Sequence, residues 1–190
     1  DMTMVLKFAL EGCGGPATTN VTNSVAQEHG YIEQELLDIA KNNAVFKDRL
    51  IITPLDNRTF DKPLSKRDDD FSYITDLRDR AVIITNTYIY YGAAAILATD
   101  VLSEVSEAFG QHLHTIPSDI HSCMLIAESE KSKSEVQDLL YISNIFVTSP
   151  AERLSNSAYY FDNETKQITN PFQKKEKDVQ QHTNPTEPKR

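Results

Sequence analysis

The hydrophobic and polar positions along the chain predict a series of short strands and amphipathic helices. Runs of apolar and β-branched residues indicate strands, as in AVIITN at 81–86. Apolar residues three or four positions apart indicate helices, as at Ile32, Leu36 and Ile39. The pattern predicts strands at 4–10, 18–23, 48–54, 81–86, 88–97, 113–117, 123–129, 158–162 and 167–168, and helices at 24–30, 31–43, 99–109 and 134–142.

Residues with capping chemistry mark the ends of the predicted helices. Gly30 and Gly110 are suited to end two of them, because glycine readily adopts a left-handed conformation. The segment EGCGGPA at 11–17 predicts a hairpin turn, and it lacks the Lys-Ser/Thr pair of a phosphate-binding loop. The predicted N-terminal caps are Ser24 with Gln27, Thr99 or Asp100, and Ser134 with Gln137.

The order of these elements predicts the fold class. Strand, turn, strand, helix and strand follow one another at about 4–54 and again at about 81–126, which suggests two similar β-β-α-β halves. Short strands joined by turns favour antiparallel pairing over parallel crossovers. We therefore predict an α+β fold, with a mostly antiparallel sheet and helices packed on one of its faces.

Length and local composition predict one domain at 1–169 and a tail at 170–190. The 190 residues suit one domain of roughly 150 residues with an extension. Proline and charge at 54–80 predict a loop excursion inside the domain. The tail is nearly devoid of apolar residues, so we expect it to be disordered. The opening DMTM does not resemble a native start, and we expect the chain to be a fragment.

The charge balance and the cysteine count narrow the functional classes. A formal net charge of −9 argues against nucleic acid and against an anionic membrane surface as partners. No apolar run approaches the ~20 residues of a membrane-spanning helix. Cys13 and Cys123 are too few for the disulfide framework of a secreted domain, which favours a reducing, cytoplasmic location. Neither the cysteine count nor the net charge indicates a cofactor.

The stretch HLHTIPSDIHSC at 112–123 contains three of the five histidines and is the candidate metal site. His112 and His114 alternate along a predicted strand, so their rings share one face. His121 follows a turn and is the candidate third zinc ligand, with Asp119 as a further ligand or orienting group. The alternative is an ordinary half-exposed strand whose two histidines face solvent.

The same stretch offers two further interpretations. Ser118 or Cys123 with His121 and Asp119 has the residue types of a catalytic triad, but four candidates within six residues cannot easily converge around a substrate. Cys123 opens the apolar run CMLIA, which indicates a buried side chain. Pro117, Ser118 and Asp119 are favourable turn or helix-cap residues, and His121 would then hydrogen-bond a backbone carbonyl within a short helical turn.

Several motifs resemble those of a domain-of-unknown-function family common in gut Firmicutes. They are YYGAAAIL at 90–97, PSDIH at 117–121 and ERLSNSAYYFDNETKQI at 152–168, and the resemblance covers roughly 5–168. Asp119 and Ser122 depart from the family's turn, and His112 and His114 lie outside it, which weakens a three-histidine site as a family property. The family has no established activity, and its members extend further N-terminally.

The sequence therefore supports three functional hypotheses. The first is a non-enzymatic binding or protein-interaction module of a bacterial cytoplasm, with an unknown protein or small molecule as partner. Its binding residues would be Tyr91, Gly92, Pro117, Ser118 and His121. The second is a zinc-binding protein or metal-dependent hydrolase that uses the three histidines. The third is a structural piece of a larger protein whose activity lies N-terminal to this fragment.

Overall fold

A computed structural model describes residues 7–10, 17–41, 50–55, 80–87 and 91–171 of the chain. The predicted loop excursion at 54–80 and the predicted tail at 170–190 lie almost wholly outside these residues, and so does most of the predicted turn at 11–17.

The described residues form eight strands, four α-helices and a 3₁₀ helix. The α-helices are α1 (Asn23–Glu28), α2 (Glu33–Lys41), α3 (Thr99–Phe109) and α4 (Lys133–Phe146), and the 3₁₀ helix is Gly92–Leu97. The strands are β1 (Lys7–Leu10), β2 (Ala17–Asn20), β3 (Leu50–Pro54), β4 (Ala81–Asn86), β5 (Leu113–Ile116), β6 (Cys123–Ala127), β7 (Tyr159–Asp162) and β8 (Gln167–Thr169).

Six of the strands form one antiparallel sheet in the order β3-β4-β6-β5-β7-β8. The hairpin β5-β6 provides its centre, with Leu113 opposite Ala127 and Ile116 opposite Met124. Strands β1 and β2 pair with each other as a separate antiparallel hairpin. The sheet and its helices confirm the predicted α+β class.

The large sheet has an apolar core on each face. Successive residues of a strand point to opposite faces, so Leu125 and Ile126 of β6 enter different cores. Leu125 packs with the residues of α3, among them Leu102, whereas Ile126 packs with Val136 and Leu140 of α4. The prediction that the helices share one face is therefore wrong, because α3 and α4 cover opposite faces.

The predicted strand at 88–97 is a 3₁₀ helix over its second half. Tyr91 adopts a left-handed conformation with φ of 56°, and the helix Gly92–Leu97 begins directly after it. The β-branched and aromatic residues before Tyr91 favoured a strand, and residues 88–90 lie outside the described residues. Among the described residues 91–97 of the second predicted half, none lies in a strand.

Three predicted helix caps differ from those observed. The hydroxyl of Thr22, not of Ser24, accepts a hydrogen bond from the Val25 amide at the start of α1. Helix α3 follows Ala98 without a side-chain cap. Helix α4 begins with a capping box of Ser132 and Glu135, two residues before the predicted pair. The prediction that α3 ends at Gly110 is confirmed by its φ of 67°.

None of the helices within the described ranges has both the length and the apolar content needed to cross a bilayer.

Candidate functional site

The loop between β5 and β6 is fixed by Asp119. One carboxylate oxygen of Asp119 accepts hydrogen bonds from the amides of His121 at 2.6 Å and Ser122 at 2.8 Å. The Ser118 hydroxyl donates to the Ile116 carbonyl at 3.4 Å. A carboxylate that bonds the backbone two and three residues further on stabilises a tight turn. The turn chemistry predicted for this loop is therefore present, with Asp119 as its central acceptor.

The second motif, around Tyr91 and Gly92, lies directly against this loop. The Tyr91 amide donates to Nδ1 of His121 at 3.3 Å, and their rings are 6.2 Å apart. The Thr85 hydroxyl at the end of β4 donates to the His121 carbonyl at 2.7 Å. Gly92 is buried beneath the same carbonyl, where a Cβ atom would overlap it. The structure therefore brings together Tyr91, Gly92 and His121, which the sequence places 30 residues apart.

A third segment, the turn that follows α4, completes the arrangement. The Ile120 amide donates to the Glu152 carbonyl at 3.0 Å, and the Thr148 hydroxyl donates to the Ser118 carbonyl at 3.2 Å. Through these bonds Glu152 brings its carboxylate to 3.7 Å from Nε2 of His121. Sequence reasoning missed Glu152, because a single charged residue beside a turn has no distinguishing pattern.

The hydrogen bonds of His121 define its tautomer. Since Nδ1 accepts a hydrogen bond from the Tyr91 amide, the neutral ring carries its proton on Nε2, facing Glu152. The His121 side chain is 23% exposed and that of Glu152 is 46% exposed, so both reach solvent. The pair therefore presents a donor and an acceptor beside the Tyr91 ring. Pro117, the first residue of the loop, is buried.

The other two histidines lie at the opposite end of β5. His112 and His114 both contact the Tyr160 ring, with centroid distances of 5.6 and 5.8 Å. They share one face, as the sequence pattern predicted. His121 lies beyond the far end of β5, and a four-residue strand spans roughly 13 Å. The structure thus groups two of the three candidate metal ligands and separates the third.

The two grouped histidines already have backbone partners. Nδ1 of His112 accepts a hydrogen bond from the Asn163 amide at 3.0 Å, and it lies 3.7 Å from a carboxylate oxygen of Asp162. Nε2 of His114 lies 3.0 Å from the Lys131 carbonyl, to which it donates. Across the described ranges, no group of three or more histidine, cysteine, aspartate or glutamate side chains is placed to hold a metal ion.

The side chains considered for a catalytic triad have structural surroundings. Cys123 is completely buried between β4 and β5, and burial raises the pKa of its thiol to about 12. A thiol of this kind is protonated at neutral pH and is a poor nucleophile. Asp119 bonds the backbone of its own loop, and His121 bonds to Tyr91.

Tyr160 occupies the centre of the histidine pair. Its pKa is raised to about 12 by burial first, and then by a hydrogen bond to Glu128 and by the surrounding carboxylates. The ammonium of Lys133 lies 5.8 Å from the ring centroid on the side of α4. The phenol is therefore a hydrogen-bond donor at neutral pH. The region around it is a packed polar cluster between β5, β7 and α4.

His114 is expected to make folding dependent on pH. Its side chain is 2% exposed, and burial lowers its pKa despite the opposing effect of its bond to Lys131. Because the unfolded chain takes up a proton at about pH 6.5 and the folded chain resists it, the stabilising contribution is complete above that pH. It is lost as the pH falls through 6.5 towards the lower folded-state pKa.

Urea unfolding between pH 7.5 and pH 5 measures this effect. The slope contributed by one proton cannot exceed about 1.4 kcal/mol per pH unit. In His114→Gln the free energy of unfolding should fall less steeply over this range, since glutamine retains a donor but does not titrate. An equal slope in wild type and His114→Gln would contradict the assignment of this pH dependence to His114. The control is His29→Gln, at an exposed position.

Fold and site together define a class of protein: an α+β domain with an antiparallel sheet and a loop junction where two separated motifs meet. The chain belongs to a family of unknown function, DUF5688, whose family model matches residues 1–163. The family resemblance of the sequence is thereby confirmed. Searches among curated proteins and among solved structures found no match.

Proposed function

We propose that this protein is a non-enzymatic binding module whose recognition site is the junction of Tyr91, His121 and Glu152. The observation that carries the proposal is the backbone of Tyr91, a non-glycine residue in the left-handed region with φ of 56°. This conformation costs about 1–2 kcal/mol, and such costs concentrate at binding and catalytic sites. Here the aromatic ring lies 6.2 Å from the partly exposed imidazole of His121.

The chemistry of the junction suits a small polar ligand or a polar loop of a protein. The imidazole of His121 and the carboxylate of Glu152 lie 3.7 Å apart, and groups of both kinds hydrogen-bond polar ligands. The Tyr91 ring adds an apolar surface within 6.2 Å of the imidazole. The net charge of −9 favours neutral or cationic ligands over anionic ones.

Gly92, Pro117 and Ser118 belong to this proposed site as its support. Gly92 lets the 3₁₀ helix approach the His121 carbonyl, and Ser118 accepts the hydrogen bond that ties the loop to Thr148. A binding site held by its own backbone hydrogen bonds loses little conformational entropy when a ligand arrives.

The proposed location is the cytoplasm of a bacterium. Cys123 is a free thiol within the core, which suits a reducing compartment. The acidic composition supports a partner other than nucleic acid or an anionic membrane.

A thermal-melt screen against a metabolite panel tests the proposal. A ligand at 100 times its Kd adds about 2.7 kcal/mol, a shift of roughly 5–10 °C for a domain of this size. The shift should disappear in His121→Ala and Glu152→Gln and persist in His29→Ala, an exposed histidine on a different element. A shift that survives both site variants would place binding elsewhere and refute the proposal.

The same screen includes divalent metals. A zinc-induced shift that is lost in His114→Ala would favour the zinc-binding alternative over the binding module. If no compound and no metal shifts the melt, affinity capture with wild type and Glu152→Gln in parallel tests the protein-partner form. A partner retained by wild type alone would support it, and equal capture by both proteins would contradict it.

A further inference from the structure

The second half of α4 exposes an apolar surface that the junction does not use. Val136 and Leu140 on the other side of the helix are buried in the core with Asn144. Five large side chains at the end of the helix are instead between 45% and 79% exposed. We call them the α4 surface: Tyr141, Ile142, Ile145, Phe146 and Val147.

This surface lies in an uncharged stretch of an acidic chain. Charged residues make up 25% of the sequence, yet none occurs at 139–151. Asp138 precedes this stretch and Glu152 follows it. Two copies of a chain with a net charge of −9 repel each other over most of their surfaces. The five side chains of the α4 surface carry no charge, and the nearest acidic residue on the helix, Asp138, lies one turn before Tyr141.

The size of the surface is sufficient for a specific contact. From their exposed fractions, the five side chains present roughly 600 Å² of accessible area, against about 800 Å² per partner in a standard interface. Apolar patches of this size are at the upper limit for a monomer and mark interaction sites. Their spacing, with Ile145 and Phe146 one turn after Tyr141 and Ile142, makes the patch continuous along the helix.

We propose that a second copy of this chain docks on the α4 surface and forms a two-fold symmetric homodimer. In such a dimer the same patch serves both protomers, and an uncharged apolar helix face is complementary to itself. A lipid surface is the poorer occupant, because helices that lie on membranes flank their apolar face with Lys and Arg. The α4 surface has no such flank.

Sedimentation velocity of the full chain tests the dimer from about 1 µM to about 300 µM. The mass should rise with concentration from 21.4 kDa towards twice that value. Phe146→Glu and Ile142→Glu each place two like charges in the interface by symmetry, and we expect each to weaken association at least tenfold. Thermal melts and circular dichroism of the variants establish that they remain folded.

Ile39→Glu is the matched control, because Ile39 is an equally exposed isoleucine on α2. It should leave the association unchanged. A sample that stays at the monomer mass throughout, or an association insensitive to Phe146→Glu, overturns the proposal. So does a dimer that Ile39→Glu disrupts equally. Raising the salt concentration should strengthen the dimer by screening the net charge, and weakening by salt would point to an ionic interface instead.

Discussion

Replacing Gly92 with alanine is expected to destabilise the fold by about 2–3 kcal/mol, the cost of forcing atoms into a filled space. The added Cβ atom would overlap the carbonyl oxygen of His121 and the hydroxyl oxygen of Thr85, and it would lie 2.9 Å from the amide nitrogen of Asn86. Two of these atoms belong to the backbone, so neither can turn away. Urea unfolding monitored by circular dichroism measures the loss.

Gly110→Ala separates this steric effect from the ordinary cost of replacing glycine. Gly110 has φ of 67° and open space around its Cα atom, so alanine there meets only backbone strain of about 1 kcal/mol. Gly92→Ala should therefore cost at least twice as much. Equal losses in the two variants would mean that the 3₁₀ helix and the loop are not in tight contact. Gly92→Ala should also abolish any ligand-induced shift at the junction.

Asp119→Ala is expected to cost about 1.5–3 kcal/mol, the range for hydrogen bonds to a charged group. The substitution leaves the His121 and Ser122 amides without their carboxylate acceptor. Because the same loop presents His121 to Tyr91 and Glu152, the ring should also lose its fixed position. Urea unfolding gives the energy, and the NMR resonances of the His121 ring report the local change. Asp119→Asn keeps one oxygen acceptor and should lose less.

Asp162→Ala provides a control with the same local chemistry. One Asp162 oxygen accepts from the amides of Glu164 and Thr165, at 2.8 and 3.1 Å, in the turn between β7 and β8. Its loss should destabilise that turn and leave the His121 resonances in place. If Asp162→Ala moved them as much as Asp119→Ala, the local role of Asp119 would be refuted.

The apolar pattern of the sequence predicted the strands and helices whose structure depends on residues close together in the chain. Strands β4, β6 and β7 and helix α3 are close to the positions that their apolar residues predict. The described segment at 91–97 differs, and its residues Tyr91 and Gly92 contact His121 in the loop at 117–122. The aromatic run before Tyr91 favours a strand by propensity. Tyr91 is instead left-handed, and Gly92 begins the 3₁₀ helix against the His121 carbonyl.

The start of α4 shows a different limit. The segment SKSEVQ at 132–137 contains two overlapping capping patterns, Ser132 with Glu135 and Ser134 with Gln137. Only the first is used. The Gln137 side chain is engaged elsewhere, where it donates to the Asn156 carbonyl and accepts from the Ala158 amide. Sequence spacing alone does not distinguish the two, because the choice depends on a contact 19 and 21 residues further along.

The candidate site was predictable in part. The two motifs around Tyr91 and His121 were identified from the sequence, and the structure places them in contact. The distance between His112 and His121 was also implied, since the predicted strand at 113–117 runs between them. A residue that precedes a strand and one that follows it lie at opposite ends of the strand. They are therefore separated by its length, although few residues lie between them in the sequence. Glu152 gave no signal.

Because Cys123 is buried, the rate at which its thiol is alkylated reports how often the sheet opens. Its thiol lies opposite Ile84 of β4, is 0% exposed and has a pKa of about 12, so an alkylating reagent cannot react with it in the closed state. In a Cys13→Ser background, the labelling rate of Cys123 then equals the fraction of time that β4 and β6 spend apart, multiplied by the reactivity of a free thiol. Substitutions at distant positions can be compared on this one scale.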